Sequence, residues 1–188
     1  VDVTLIDQND AFTLGFSKLD ILFHHQTRDD VQLPYRRLAK PGVAFRQETV
    51  LSIDPQRRQV VTDEATYDAD FLVVALGADY DLAATPGFVE GGFEYYSVDG
   101  AERLRDELPS FRGGNVLLAV LSIPFKCPPA PYEGILLLHD YLVEREIRET
   151  AQLHVVTPQP APIPVSSQAS EAVGRTMAAR GIEYSRRR

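Results

Sequence analysis

From Asn115 onward the chain reads strand, helix, strand, helix, strand. "NVLLAVLSI" is an apolar run of strand length, "YEGILLLHDYLVEREIRE" is long and apolar enough for a helix crossing back over a sheet, and "QLHVVTP" supplies the next strand. The Pro-rich "TPQPAPIPVSS" is a stiff loop. A helix follows from about Gln168 to Arg180, stopped by Gly181, and "GIEYSRRR" opens a further strand. Strands and helices in alternation fit a parallel sheet with crossover helices, so the expected fold class is α/β.

The first half has a different texture. "VDVTLID" alternates apolar and polar residues and ends on Asp7, as a strand ending at its carboxyl edge does. A loop and a short helix, "FSKLDILFHHQT", follow. From Val43 to Leu76 no amphipathic helix interrupts a succession of short β-prone runs, which predicts a β-meander. "ADFLVVALGAD" is a run of strand length ended by Gly77, as expected of a strand buried on both faces. After the turn-rich "LAATPGF", Asp99 and Glu102 make a capping-box-like start, and Ala101, Leu104, Leu108 and Phe111 share a helical face. Two partial units therefore meet near residue 99, one over residues 1–98 and one over 99–188. The first residue, Val1, already lies inside a strand-like run, and the chain reads as beginning within a fold.

Composition excludes several function classes. A net charge of -8, from 27 acidic against 19 Lys and Arg residues, argues against a general nucleic-acid binder, and Arg186-Arg187-Arg188 reads as a solvated terminus. No apolar run approaches the roughly 20 residues of a membrane helix, and the first residues lead to no expectation of a secretory leader. A cytoplasmic or peripheral-membrane location is the expectation. The single cysteine permits no disulfide within the chain. His24-His25, His139 and His154 have no partners at ligand spacing, so no metal site is expected.

Three motifs carry more specific information: "VTLIDQND" with Asp7, "YDADFLVVALGAD" with Ala75-Leu76-Gly77, and "FKCPPAPYE" with Cys127 and Glu133. In this order they resemble the FAD-dependent pyridine nucleotide-disulfide oxidoreductase superfamily, and the third resembles its sulfide:quinone oxidoreductase and flavocytochrome c sulfide dehydrogenase branch. The resemblance runs through essentially all of the chain but covers only the middle of the family's length, which marks a fragment. It implies two partial Rossmann-like FAD/NAD(P)-binding domains with a β-meander, and FAD as cofactor. Asp7 would accept hydrogen bonds from the adenosine ribose. Ala75, Leu76 and Gly77 would pass close to the cofactor, with Leu76 replacing the family's usual threonine. The glycine-rich pyrophosphate loop expected ahead of Asp7 is not among these residues.

In nicotinamide-binding relatives the strand equivalent to "NVLLAVLSI" runs into a GxGxxG turn. Here "SIPFKCPPAPYEG" takes that place, and Pro124, Pro128, Pro129 and Pro131 lack the N–H groups a phosphate would use. A thiol stands there instead, and a neighbouring cation and a following helix N-terminus, as Lys126 and "PYEG" offer, favour the thiolate. Free cysteines are also common small core residues, and an acid in a first helical turn is favourable without any catalytic role. By resemblance Cys127 would form a flavin adduct or a persulfide and Glu133 would be the acid/base group. The expected function is oxidation of sulfide or a related thiol, with electrons passing through FAD to a quinone or other carrier. An NADH:quinone reductase-like flavoprotein and a redox-inert interaction module are the alternatives. Peripheral membrane contact and homo-oligomer formation stay open.

Overall fold

A computed structural model describes residues 1–186. Arg187 and Arg188, two of the three arginines of the basic terminus, lie outside the described residues. The chain forms two compact units, one of residues 1–17 with 27–82 and one of residues 18–26 with Ala83 onward. The segment 18–26 belongs to the second unit, and its Leu19, Ile21, Leu22 and Phe23 are buried.

In chain order the first elements are strands β1 (Val3–Asp7) and β2 (Ala11–Thr13), helices α1 (Ser17–Leu22) and α2 (Arg28–Val31), and strands β3 (Gln32–Pro34), β4 (Val43–Gln47), β5 (Val50–Asp54), β6 (Gln59–Thr62) and β7 (Thr66–Asp68). β1 and β4 pair in parallel from Val3 opposite Val43 to Asp7 opposite Gln47, while β2 and β3 pair antiparallel. The meander begins at Val50 rather than Val43: β5, β6 and β7 form an antiparallel sheet, and β4 belongs to β1. Glu48 ties the meander together by accepting from Thr62 Oγ1 and Tyr67 OH, each at 2.7 Å.

Residues 70–76, expected to form a buried strand, form none, and all but the half-buried Leu72 are exposed. Phe71 is 91% exposed, Val73 86% and Leu76 67%. A strand is stable only where its backbone groups find partners, and among the described residues no strand pairs with this run. An apolar composition recorded the tendency to be covered; it carried no information about a cover.

The second unit continues with α3 (Phe88–Gly91), α4 (Val98–Glu107), β8 (Gly114–Ala119), α5 (Ala130–Glu144), β9 (Ala151–Thr157), α6 (Ser167–Ala179) and β10 (Ile182–Arg186). β10, β9 and β8 lie side by side, all parallel, so α5 and α6 are the crossovers. In β9 the side chains alternate, with Ala151, Leu153, Val155 and Thr157 buried on one face. That face meets Tyr132, Ile135 and Leu142 of α5 and Met177 of α6 in one core. Each large aliphatic group buried there contributes about 1.5–3 kcal/mol. β8 is an edge strand whose Leu117 is exposed, not the fully buried strand its composition predicts.

α4 starts two residues earlier than Asp99 suggests, capped by Ser97, whose Oγ accepts from the Gly100 N–H at 2.8 Å. Glu94 accepts in turn from Ser97 Oγ and from the N–H groups of Tyr96 (2.6 Å) and Ser97 (2.9 Å). α6 is capped by Ser166 and followed by Gly181 at φ 62, close to the predicted bounds. Arg148 closes its far end by donating to the carbonyls of Arg180 (2.7 Å) and Gly181 (2.9 Å).

Candidate active site

Cys127 lies between the carboxyl end of β8 and the start of α5, where parallel α/β sheets hold their ligands. The chain turns there on three bonds. Cys127 C=O accepts from the Ala130 N–H at 2.9 Å, and Pro129 C=O accepts from the N–H groups of Tyr132 and Glu133, both at 3.0 Å. Pro131 stands in the first turn of α5, where a missing N–H costs nothing. Pro128 disfavours the right-handed helical region for the residue before it, and Cys127 adopts φ 54, a left-handed conformation that costs a non-glycine residue about 1–3 kcal/mol. The thiol-bearing residue is thus half-buried and held by its surroundings in a strained backbone. Glu133 and Lys126 are exposed beside it in sequence.

Two residues without a local sequence signal belong to this neighbourhood. Lys18, at the start of α1, is held below the usual lysine value by burial and by Lys126, with Glu94 and Cys127 acting the other way. α1 reaches this place because the segment it opens packs on α5, where the Phe23 and Tyr141 rings meet at 6.0 Å. Tyr95 donates its hydroxyl to the Ala130 carbonyl at 3.1 Å. Burial pushes its phenol up, reinforced by Tyr96, Cys127 and Glu133. Only the fold brings residues so distant in sequence to the start of α5.

In the first unit Asp7 stands at the carboxyl end of β1. Its Oδ1 accepts from Asn9 N (2.8 Å) and Asn9 Nδ2 (3.0 Å), and its Oδ2 accepts from Tyr35 OH (2.9 Å). Burial, followed by the bond to Asp7, pushes the Tyr35 phenol up to about 12. A carboxylate offers about four acceptor positions, so Oδ2 keeps capacity for a further hydroxyl, as an adenosine ribose would require. Ala75 and Leu76 are exposed, and Gly77 has φ +73 with open space where a Cβ would stand. That is backbone a planar cofactor could approach closely. The donor set therefore fits a flavin dinucleotide.

A cleft of about 500 Å3 lined by His139, Arg148, Gln152, Arg180 and Glu183 lies at the amino ends of β9 and β10. The Cys127 turn is at the opposite end of the sheet, so this cleft serves another face.

No family model matches the chain. An NADH dehydrogenase-like protein of Mycobacterium tuberculosis is 37% identical over 87 residues, 46% of this chain and 22% of that protein. Demethylphylloquinone reductase of Synechocystis is 29% identical over 115 residues, 58% of this chain and 28% of that protein. The crystal structure of sulfide:quinone oxidoreductase from Aquifex aeolicus superposes with a TM-score of 0.87 at 23% identity, covering 98% of this chain and 44% of that one. The chain shares the fold of that structure and, over part of its length, is similar in sequence to the other two proteins. The chain spans less than half the length of each of these relatives. The α/β, Rossmann-like class expected from the motifs is the class found. Among the described residues no helix is long and apolar enough to cross a membrane.

Proposed function

We propose that the full-length protein is an FAD-dependent oxidoreductase that takes electrons from sulfide or a related thiol at Cys127 and passes them to a quinone or another carrier. The observation that supports it is the half-buried Cys127, strained at φ 54 at the carboxyl end of β8 and followed at once by α5. Asp7 would hold the adenosine ribose, and the open backbone at Ala75, Leu76 and Gly77 would lie against the cofactor. When bound, FAD supplies a two-electron acceptor.

With FAD bound as the two-electron acceptor, the S–H bonds of Cys127 and of the donor would break as their sulfurs join in an S–S bond, and Glu133, exposed in the first turn of α5, would take up one of the two protons, the other going to solvent. The proline-rich turn and the missing GxGxxG argue against a nicotinamide at this position. The NADH dehydrogenase-like relative supports a second reading, in which NADH is the donor. Without a membrane-crossing helix among the described residues, a cytoplasmic or peripheral location goes with either reading.

The deciding experiment is anaerobic flavin bleaching in the full-length protein. Sulfide bleaches the wild type and fails to bleach Cys127→Ser; bleaching by NADH alone sinks the sulfide reading.

A further inference from the structure

Tyr95 contacts the Cys127 turn through a short chain of bonds. Its hydroxyl donates to the Ala130 carbonyl at 3.1 Å, and the Ala130 N–H donates to the Cys127 carbonyl at 2.9 Å. A single residue thus links the phenol to the residue bearing the thiol. One turn further along α5, Gly134 lies under the same ring. A Cβ there would stand 2.7 Å from the Tyr95 hydroxyl oxygen and 2.9 Å from Cζ. The absence of a side chain at 134 is what lets the phenol reach the Ala130 oxygen. Cys127 meanwhile keeps φ 54, a conformation that persists only where the surroundings hold it. The hydroxyl is a donor across the physiological range, as any phenol is, and burial, Tyr96, Cys127 and Glu133 oppose its ionisation further.

We propose that Tyr95 is a positioning residue: its hydrogen bond to Ala130 fixes the first turn of α5 and so aims the Cys127 sulfur, with Gly134 required to seat the ring. This rests on the reading of Cys127 as the redox thiol. Removing the hydroxyl while keeping the ring loosens the turn, making the sulfur easier to alkylate and less well aimed.

The test uses the full-length protein with Tyr95→Phe. Peptide-resolved mass spectrometry follows alkylation of Cys127 by iodoacetamide, and stopped flow follows flavin bleaching against sulfide concentration. Alkylation becomes roughly fivefold faster and the limiting bleaching rate falls by a similar factor, with half-saturating sulfide unchanged. Gly134→Ala, which crowds the same hydroxyl from the helix side, shifts both rates in the same directions. Alkylation and bleaching that stay at wild-type rates in Tyr95→Phe overturn the proposal, even if the melting temperature drops. Should Cys127→Ser bleach like the wild type, the redox reading fails on its own, while the alkylation rate still reports whether Tyr95 positions the thiol.

Discussion

Asp7 was legible in the sequence as an acid at a strand end, but its partner Tyr35 was not, because β2, α1, α2 and β3 lie between them in the chain. The bond has a pH signature. A phenol raised from 10 to about 12 on folding contributes stability that is complete below pH 10 and is lost as pH rises through about 12. Titrating phenolate absorbance shows late ionisation near that value, and Tyr35→Phe lowers its amplitude by one phenol. Asp7→Asn weakens FAD retention by the full-length protein about tenfold or more, the worth of a charge-assisted hydrogen bond, read by equilibrium flavin binding. Gly113 has φ +133, and a Cβ there would stand 2.5 Å from Thr150 Oγ1, which itself donates to the Arg112 and Ile147 carbonyls. Gly113→Ala costs about 1–3 kcal/mol in urea denaturation, with an unchanged slope.

Among the elements, α5, β9 and α6 followed directly from composition and caps, because each buries one face whose period shows in the sequence. Leu142, fully buried against β9 and α6, tests that core. Leu142→Ala loses about 2–5 kcal/mol in urea melts, as other large-to-small core changes do. Ser166→Ala removes the cap of α6 and costs about 1 kcal/mol. β8 and residues 70–76 show where the same reasoning stops. Both are rich in Val and Leu, yet β8 has one strand neighbour and 70–76 has none among the described residues. Burial of a strand depends on what lies to either side, and that is not a property of the strand's own residues. The start of α4 shows a related limit: Asp99 and Ser97 are both competent caps, and Glu94, bonded to Ser97, favours the latter.

For the whole molecule, the apolar run from Phe71 to Leu76 leaves a surface that soluble chains rarely expose. The 188-residue chain alone therefore binds a hydrophobic dye such as ANS, and Val73→Lys lowers that fluorescence by roughly half without shifting the urea midpoint. An unchanged signal would place the dye elsewhere. The sequence by itself determined the parallel α/β layer, the meander, the cysteine motif and the likeness to flavoproteins, because each is written in local periodicity, turn chemistry or contiguous residues. The tertiary structure alone decided that Lys18 and Tyr95 stand near Cys127, that β4 pairs with β1, and that Leu117 and Val73 face solvent. Those facts depend on which segments pack together, and a side chain's neighbours across the fold are set by the closure of the whole chain rather than by the residues beside it.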